Sequence, residues 1–248
     1  MFLISAFSSN LSTNKIGHNI KYLESIDSTN TEIYRMFKNN EAQSGDIVIT
    51  DNQNSGRGRR GDSWYSQPNK SITTSFIIKN NYNNLDKKLP LLIGIAIIKG
   101  IQQSTKILCD LKWPNDIMYQ SKKIGGVLIE KKDNHYIIGL GLNINETKFE
   151  KSIQDSTMSL KLILNRTIER ESLLAYIINH FEILLDKSLD SIINLWESFC
   201  GHLNQTVYFH DSKKLIDGKF LGLNKNGEAN IKIGGQEIKS IHSGVIKL

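Results

Sequence analysis

The spacing of hydrophobic positions changes several times along the chain. Ile20-Lys-Tyr-Leu-Glu-Ser-Ile26 predicts a strand. Asp27-Ser28-Thr29-Asn30 follows as a helix start, and Thr29 with Glu32 fits a capping box ahead of Ile33, Met36 and Phe37. Asp46–Thr50 and Ser71–Ile78 are β-rich runs. Leu89–Gln103 is apolar nearly all round and predicts a mostly buried helix. Lys106–Trp113, Ile117–Gln120, Ile124–Lys131 and Tyr136–Leu142 read as further strands at hairpin-like spacing. Leu173, Leu174, Ile177, Ile178, Phe181, Leu184 and Leu185 recur at helical spacing, and a second helix is expected over Ser191–Phe199. Residues 1–18 are polar and carry no periodic signal.

After Gly201 the texture becomes short strands: Val207–Phe209, Lys219–Leu223, Ala229–Ile233 and Glu237–Ile241. Turns are expected at Asn224–Gly227 and Gly234–Gly235. The pattern predicts an α+β body over residues 1–200 and a small all-β module over 201–248, with no internal repeat.

Composition narrows this only a little. The 248 residues are 39% hydrophobic and 23% charged, ordinary for a globular protein. The net charge of +6 suits an anionic ligand but is weak support for a nucleic-acid face. Cys109 and Cys200 lie far apart and form no disulfide or zinc pattern, and the six histidines show no metal-ligand spacing. The start has no basic n-region. The longest apolar run, Leu89–Ile98, is about half a membrane span. The expectation is a soluble cytoplasmic protein with no membrane partner.

The chemistry concentrates where periodicity stops. Gly56-Arg57-Gly58-Arg59-Arg60-Gly61-Asp62-Ser63-Trp64 interleaves three glycines with three arginines. The glycines let backbone approach a ligand, the guanidinium forks suit phosphate or carboxylate, and the indole can stack on a flat ring. ATP is the obvious candidate. The literal GxGxxG spacing is not a dinucleotide fingerprint, since no strand leads directly into it and poor helix follows. No Walker A is present either. Lys112-Trp-Pro-Asn115-Asp116 puts a lysine at a strand end, with two oxygen donors suited to Mg²⁺ or phosphate, although an ordinary β-turn would read the same. Lys123-Ile-Gly125-Gly126 and Gly139-Leu-Gly141-Leu-Asn143-Ile-Asn145 mark close approach of a ligand or another backbone.

In this order these segments resemble the biotin protein ligases, over roughly residues 20–248. The resemblance rests on Ser28-Thr29-Asn30, Gln53, the arginine loop with Trp64, Lys112–Asp116, Lys123–Gly126 and Gly141–Asn145. It implies a mixed-sheet catalytic domain of the biotin/lipoate ligase type, followed by a small SH3-like β-barrel. It implies formation of biotinoyl-5′-AMP from biotin and ATP with Mg²⁺, then transfer of biotin to one lysine of a biotin carboxyl carrier domain. The biotin site would comprise Ser28, Thr29, Asn30, Gln53, Gly56, Arg57, Gly58, Arg59, Arg60, Lys112, Gly125 and Gly126. Arg57, Arg60, Trp64, Asn115, Asn143 and Asn145 would take ATP, with Mg²⁺ near Asn115 or Asp116. Lys112 would bridge the biotin carboxylate and the α-phosphate, and Arg59 would hold the adenylate under the loop. Some members carry an N-terminal DNA-binding helix-turn-helix, which has no counterpart ahead of Ile20, so no DNA partner is expected. Asp62 stands where relatives commonly have a basic residue. Pairing of two chains through sheet edges stays open.

Two rival readings remain. One is a lipoate- or octanoate-type acyl-adenylating ligase of related fold, against which the arginine loop and Lys112–Asp116 speak. The other is a nucleic-acid-binding module, suggested by charge and the terminal β module.

Overall fold

The computed structural model describes residues 1–211, 214–242, 244 and 246–247. The chain runs α1 (Ile4–Asn10), β1 (Ile20–Ile26), α2 (Thr29–Lys38), β2 (Ile47–Gln53), β3 (Ile72–Lys79), α3 (Leu85–Thr105), β4 (Asp110–Lys112), β5 (Asp116–Tyr119), β6 (Lys122–Lys132) and β7 (His135–Leu142). It continues with α4 (Leu160–Leu164), α5 (Arg170–Leu185), α6 (Leu189–Ser198), β8 (Thr206–Asp211), β9 (Lys214–Leu223), β10 (Ala229–Ile233), β11 (Glu237–Ile241) and β12 (Ile246–Lys247).

The first seven strands form one sheet in the order β1-β2-β3-β7-β6-β5-β4. Only β1 and β2 pair in parallel, so the sheet is mixed. The last five strands form a separate antiparallel sheet in the order β11-β10-β9-β8-β12.

Side chains alternate across the large sheet. Ile138, Leu140 and Leu142 of β7 join the main core with α3, α5 and α6, while Ile137 packs on α2 in a smaller cluster. Helix α3 is apolar all round because it lies between the sheet and α5, and Gly100 allows that contact, since a Cβ there would meet Ile177. The ammonium of buried Lys88 donates to the carbonyls of Leu185 (2.5 Å) and Lys187 (3.2 Å), capping the end of α5.

Local expectations fail where tertiary contacts decide. The cap of α2 is Ser28, not Thr29: the Ser28 hydroxyl accepts from Thr31 N at 3.5 Å. Glu32 instead holds Lys21 (3.0 Å) and Arg35 (2.6 Å). The expected strand over Lys106–Trp113 shrinks to β4, because Lys106 ends α3 in a left-handed conformation (φ 65°). Residues 1–18 contain α1, which buries Phe7 and is held down together with Phe2 and Ile16 in the core. The amides of Asn14, Lys15 and Ile16 donate to the Glu182 carboxylate of α5. So short a helix has no stability of its own and forms only by docking.

An ion pair joins β2 to α5: Arg170 meets Asp51 at 2.8 Å, both side chains buried. Burial pushes the Asp51 carboxyl up, but Tyr22, Arg170 and the Met1 ammonium pull it further, and the net result lies below the ordinary carboxylate range. Arg170→Met takes the buried guanidinium from that carboxylate, leaving it Tyr22 and the distant Met1 ammonium, and is expected to cost about 3–5 kcal/mol. Urea unfolding at neutral pH checks this. Because the native carboxyl is depressed, the contribution is present above the ordinary carboxylate range and is lost as pH falls through the lowered value. The gap between wild type and Arg170→Met should therefore close on acidification.

Candidate functional site

The register of the large sheet lines up one row of residues across six strands. Lys112 pairs with Asp116, Asp116 with Gly126, Gly126 with Gly141, Gly141 with Thr73, and Thr73 with Thr50. Strand alternation puts this row on the α2 face. Two glycines at its centre leave the sheet bare there, and a cleft opens over them. Its lining includes Ser28, Thr29, Asn30, Gln53, Arg57, Gly58, Arg59, Trp64, Asn115, Asp116, Lys123, Gly126, Leu128, Gly139 and Gly141.

One wall is a fixed polar network. Gln53 Oε1 accepts from Thr29 N (2.9 Å) and from the Thr29 hydroxyl (3.3 Å). The Ser75 hydroxyl lies 2.7 Å from Thr29 Oγ1 and 2.5 Å from Asn30 Oδ1, and Asn30 Nδ2 donates to Glu130 (2.7 Å). Arg57 reaches the same Glu130 at 3.4 Å. These bonds restrict the rotamers of Thr29, Asn30 and Gln53 before any ligand arrives.

The arginine loop closes the other side. Gly58 N donates to Asp62 O at 2.6 Å and Trp64 N to Gly56 O at 2.9 Å. A Cβ on Gly56 would collide with the Trp64 carbonyl, so this glycine serves the loop's own closure. Arg59 is the side chain that crosses over: it donates to Asn115 Oδ1 (3.0 Å) in the β4–β5 turn and to Gly244 O (3.4 Å) just ahead of β12. Burial, and then Arg60, lower the pKa of its guanidinium, and no carboxylate pairs with it among the described residues. Such a cation favours an arriving anion.

Several expected residues stand elsewhere. Lys123 lines the cleft, ion-paired to Asp116 at 2.6 Å and returning over Gly126, and Lys112 stands on the same face of the sheet, one strand beyond Asp116 and within electrostatic reach of both Asp116 and Lys123. Lys112 is half-buried, its pKa lowered by desolvation, and it has no hydrogen bond or ion pair among the described residues. Gly125 turns away from the cleft, where a Cβ would meet Leu142. Arg60 is exposed, at φ 56°. Trp64, expected against a nucleotide base, lies on the cleft floor over Gly141, its indole N–H buried and without a partner among the described residues.

Asn145 corrects the expectation of a nucleotide contact, because both ends of its amide bond the Ile168 backbone at 2.9 Å. Asn143, also buried, spends its Nδ2 on Met158 O (3.3 Å). Asp62 lines the cleft mouth without pairing to any arginine among the described residues.

Lys123, Gly139 and Gly141 are the residues that motif reading left out of the site. Their signal was in the sequence, a lysine before paired glycines and a G-x-G within a strand, but only the register shows which face they occupy. Gly141→Val is expected to push Trp64 off the floor, lowering ligand affinity at least tenfold with little change in the melting temperature. Titration calorimetry with biotin, beside a thermal melt, checks this.

The profile of the Biotin/lipoate A/B protein ligase family matches residues 22–143. The bifunctional ligase/repressor BirA of Bacillus subtilis is 30% identical over 251 residues, covering 96% of this chain and 76% of its own length. The Aquifex aeolicus biotin protein ligase, solved in complex with biotin and ATP, superposes with a TM-score of 0.80 at 31% identity, covering 93% of this chain and 98% of that one. The Leishmania major biotin protein ligase, solved with biotinyl-5-AMP, shares the fold at a TM-score of 0.66 and 21% identity. The mixed sheet and the separate five-stranded sheet thus agree with the fold of the relatives, and the chain belongs to the biotin/lipoate A/B protein ligase family, among its biotin protein ligases.

Proposed function

We propose that this chain activates biotin with ATP and transfers it to a lysine of a biotin carboxyl carrier domain. The observation that supports this most is the pair of cations, Lys123 and Arg59, at a cleft whose polar wall is already fixed. The first step brings a carboxylate to a phosphate, and two anions approach only where cations neutralise them. A carboxylate oxygen attacks the α-phosphorus, and pyrophosphate leaves with the bonding electrons. The carrier amine then attacks the acyl carbon, AMP leaves, and the amine loses a proton. No enzyme nucleophile is required.

Thr29, Asn30, Gln53 and Gly126 orient biotin in this reading, with the Trp64 indole beneath it on the floor. Lys123 sits between carboxylate and α-phosphate. Arg59 holds the adenylate, and Lys112 and Asn143 serve the nucleotide from just outside the cleft. Among the described residues no group of three or more His, Cys, Asp or Glu could hold a metal. Asp116 with Asn115 fits a hard cation carried on the phosphates, since Mg²⁺ commonly takes one or two carboxylates and completes its shell from phosphate and water. Bound there, Mg²⁺ would neutralise charge on the departing pyrophosphate.

We divide the chain into a catalytic domain over 1–200 and a terminal β domain over 201–248. No helix among the described residues is long and apolar enough to cross a membrane, and the reading places the reaction in the cytoplasm without a DNA partner. The edge of β4 is covered by a bridge from Leu111 to Cys200, so two chains would pair through β1. Pyrophosphate release from ATP checks the activity: it should require biotin and be insensitive to lipoate. Release driven by lipoate and not biotin would favour the rival ligase, and salt-sensitive binding to random DNA with no turnover would favour a nucleic-acid module.

A further inference from the structure

Building on the biotin reading above, we propose that Glu130 is a positioning residue that sets the direction of a hydrogen-bond relay ending at Thr29. Glu130 stands on β6, on the same face as Gly126 and Leu128 but beyond the cleft lining. In the neighbouring row Ser75 of β3 pairs with Gly139 of β7, and Gly139 with Leu128 of β6. Gly139 leaves the middle of that row bare, and the Asn30 amide lies across it: a Cβ there would collide with Asn30 Oδ1. Asn30 thereby bridges from Ser75 to Glu130.

An ionised carboxylate accepts hydrogen bonds and cannot donate them. Glu130 Oε2 lies 2.7 Å from Asn30 Nδ2, so the amide must turn its N–H to that oxygen. The other end of the amide, Oδ1, is itself an acceptor, and the Ser75 hydroxyl 2.5 Å away satisfies it only by donating. Ser75 has one proton for two contacts, so at 2.7 Å from Thr29 Oγ1 it accepts. The Thr29 proton therefore points at Ser75, shared with Gln53 Oε1 at 3.3 Å. Thr29, Asn30 and Ser75 are all buried, so a reversed or broken relay leaves polar atoms unpaired inside the protein.

The direction decides what the wall presents. With its proton turned inward, Thr29 Oγ1 shows the cleft only lone pairs. Gln53 Oε1 is held by Thr29 N at 2.9 Å, which turns the donor Nε2 toward Gly56. A donor beside an acceptor matches a cyclic urea, whose carbonyl oxygen stands beside N–H groups. In the reverse direction Ser75 donates to Thr29, and the Thr29 proton is free to meet a urea N–H, donor against donor. Arg57 reaches the same Glu130 oxygen at 3.4 Å, so the arginine loop is tied to the far end of the relay.

Calorimetric titration of the full chain with biotin, beside steady-state pyrophosphate release, tests this. Glu130→Met removes the acceptor and is expected to weaken biotin binding about tenfold or more, the cost of leaving a buried donor unpaired. The kcat at saturating biotin should hold, because Lys123 and Arg59 remain. Glu130→Gln accepts from Asn30 but can also donate, and should fall between Glu130→Met and wild type. Glu130 is partly exposed, so both variants keep the fold, which a thermal melt verifies. Ser75→Ala cuts the relay ahead of Thr29, so adding Glu130→Met to it should weaken biotin little further. A residue that only stabilised β6 would give losses that multiply in the double variant. That result, wild-type affinity in Glu130→Met, or a loss carried by kcat alone overturns the proposal while the biotin reading stands. No biotin binding by the wild-type chain would sink that reading and the proposal with it.

Discussion

Lys123→Ala is expected to lower biotin-dependent pyrophosphate release by about 10²–10³-fold, the usual cost of losing one charge-stabilising donor from a reaction centre. The loss has two parts. The variant removes the ammonium that lines the cleft, and it strips Asp116 of its 2.6 Å partner. Asp116 would then present an uncompensated carboxylate to two anionic substrates. Adding Asp116→Asn to Lys123→Ala removes the second part and should recover part of the rate. Single-turnover pyrophosphate release in the single and double variants measures both. Lys112→Ala is the control that distinguishes the two lysines. Standing on the same face but one strand beyond Asp116, Lys112 should cost less kcat than Lys123. A larger kcat loss for Lys112→Ala than for Lys123→Ala would reverse the assignment.

Arg59→Gly acts later in the reaction. Arg59 is the bolt between the loop, Asn115 of the β4–β5 turn and Gly244 beside the second sheet. Without it the loop keeps its own closure through Gly56, Gly58 and Asp62 but loses its hold across the cleft. The first pyrophosphate should still be released, because Lys123 remains. The adenylate should then escape about 10–100-fold faster, the factor expected for losing charge-assisted hydrogen bonds. Trapping labelled adenylate in the filtrate reads this directly. Retention as long as in wild type would remove Arg59 from the lid.

Much of the fold was legible because it rests on periodicity. Ile20–Ile26, Asp46–Thr50 and the 173–185 pattern became β1, β2 and α5 because buried strands and amphipathic helices repeat their apolar positions at fixed intervals. The terminal module of about five short strands after Gly201 was legible for the same reason. Helix α1 was not: it has one phenylalanine and no pattern, and its last residue, Asn10, is held by Tyr176 and Asn179, distant in sequence. The β4 boundary was set by a left-handed Lys106, which no propensity requires.

The site divides in the same way. Its ingredients were in the sequence: the glycine and arginine loop, Gln53, the lysine before paired glycines, the G-x-G strand. Residue type and local spacing determine what chemistry those groups can do, so an anionic ligand under a closing loop was readable from the chain alone. Which lysine faces the ligand was not. The register Lys112–Asp116–Gly126–Gly141–Thr73 joins residues from five strands, and a shift of one residue in any pairing would turn that strand's contribution to the other face. Tertiary structure alone placed Lys123 over Gly126 and laid Trp64 on Gly141. Each depends on which face of the sheet a residue occupies and what packs there, and long-range strand pairing decides that where local sequence cannot.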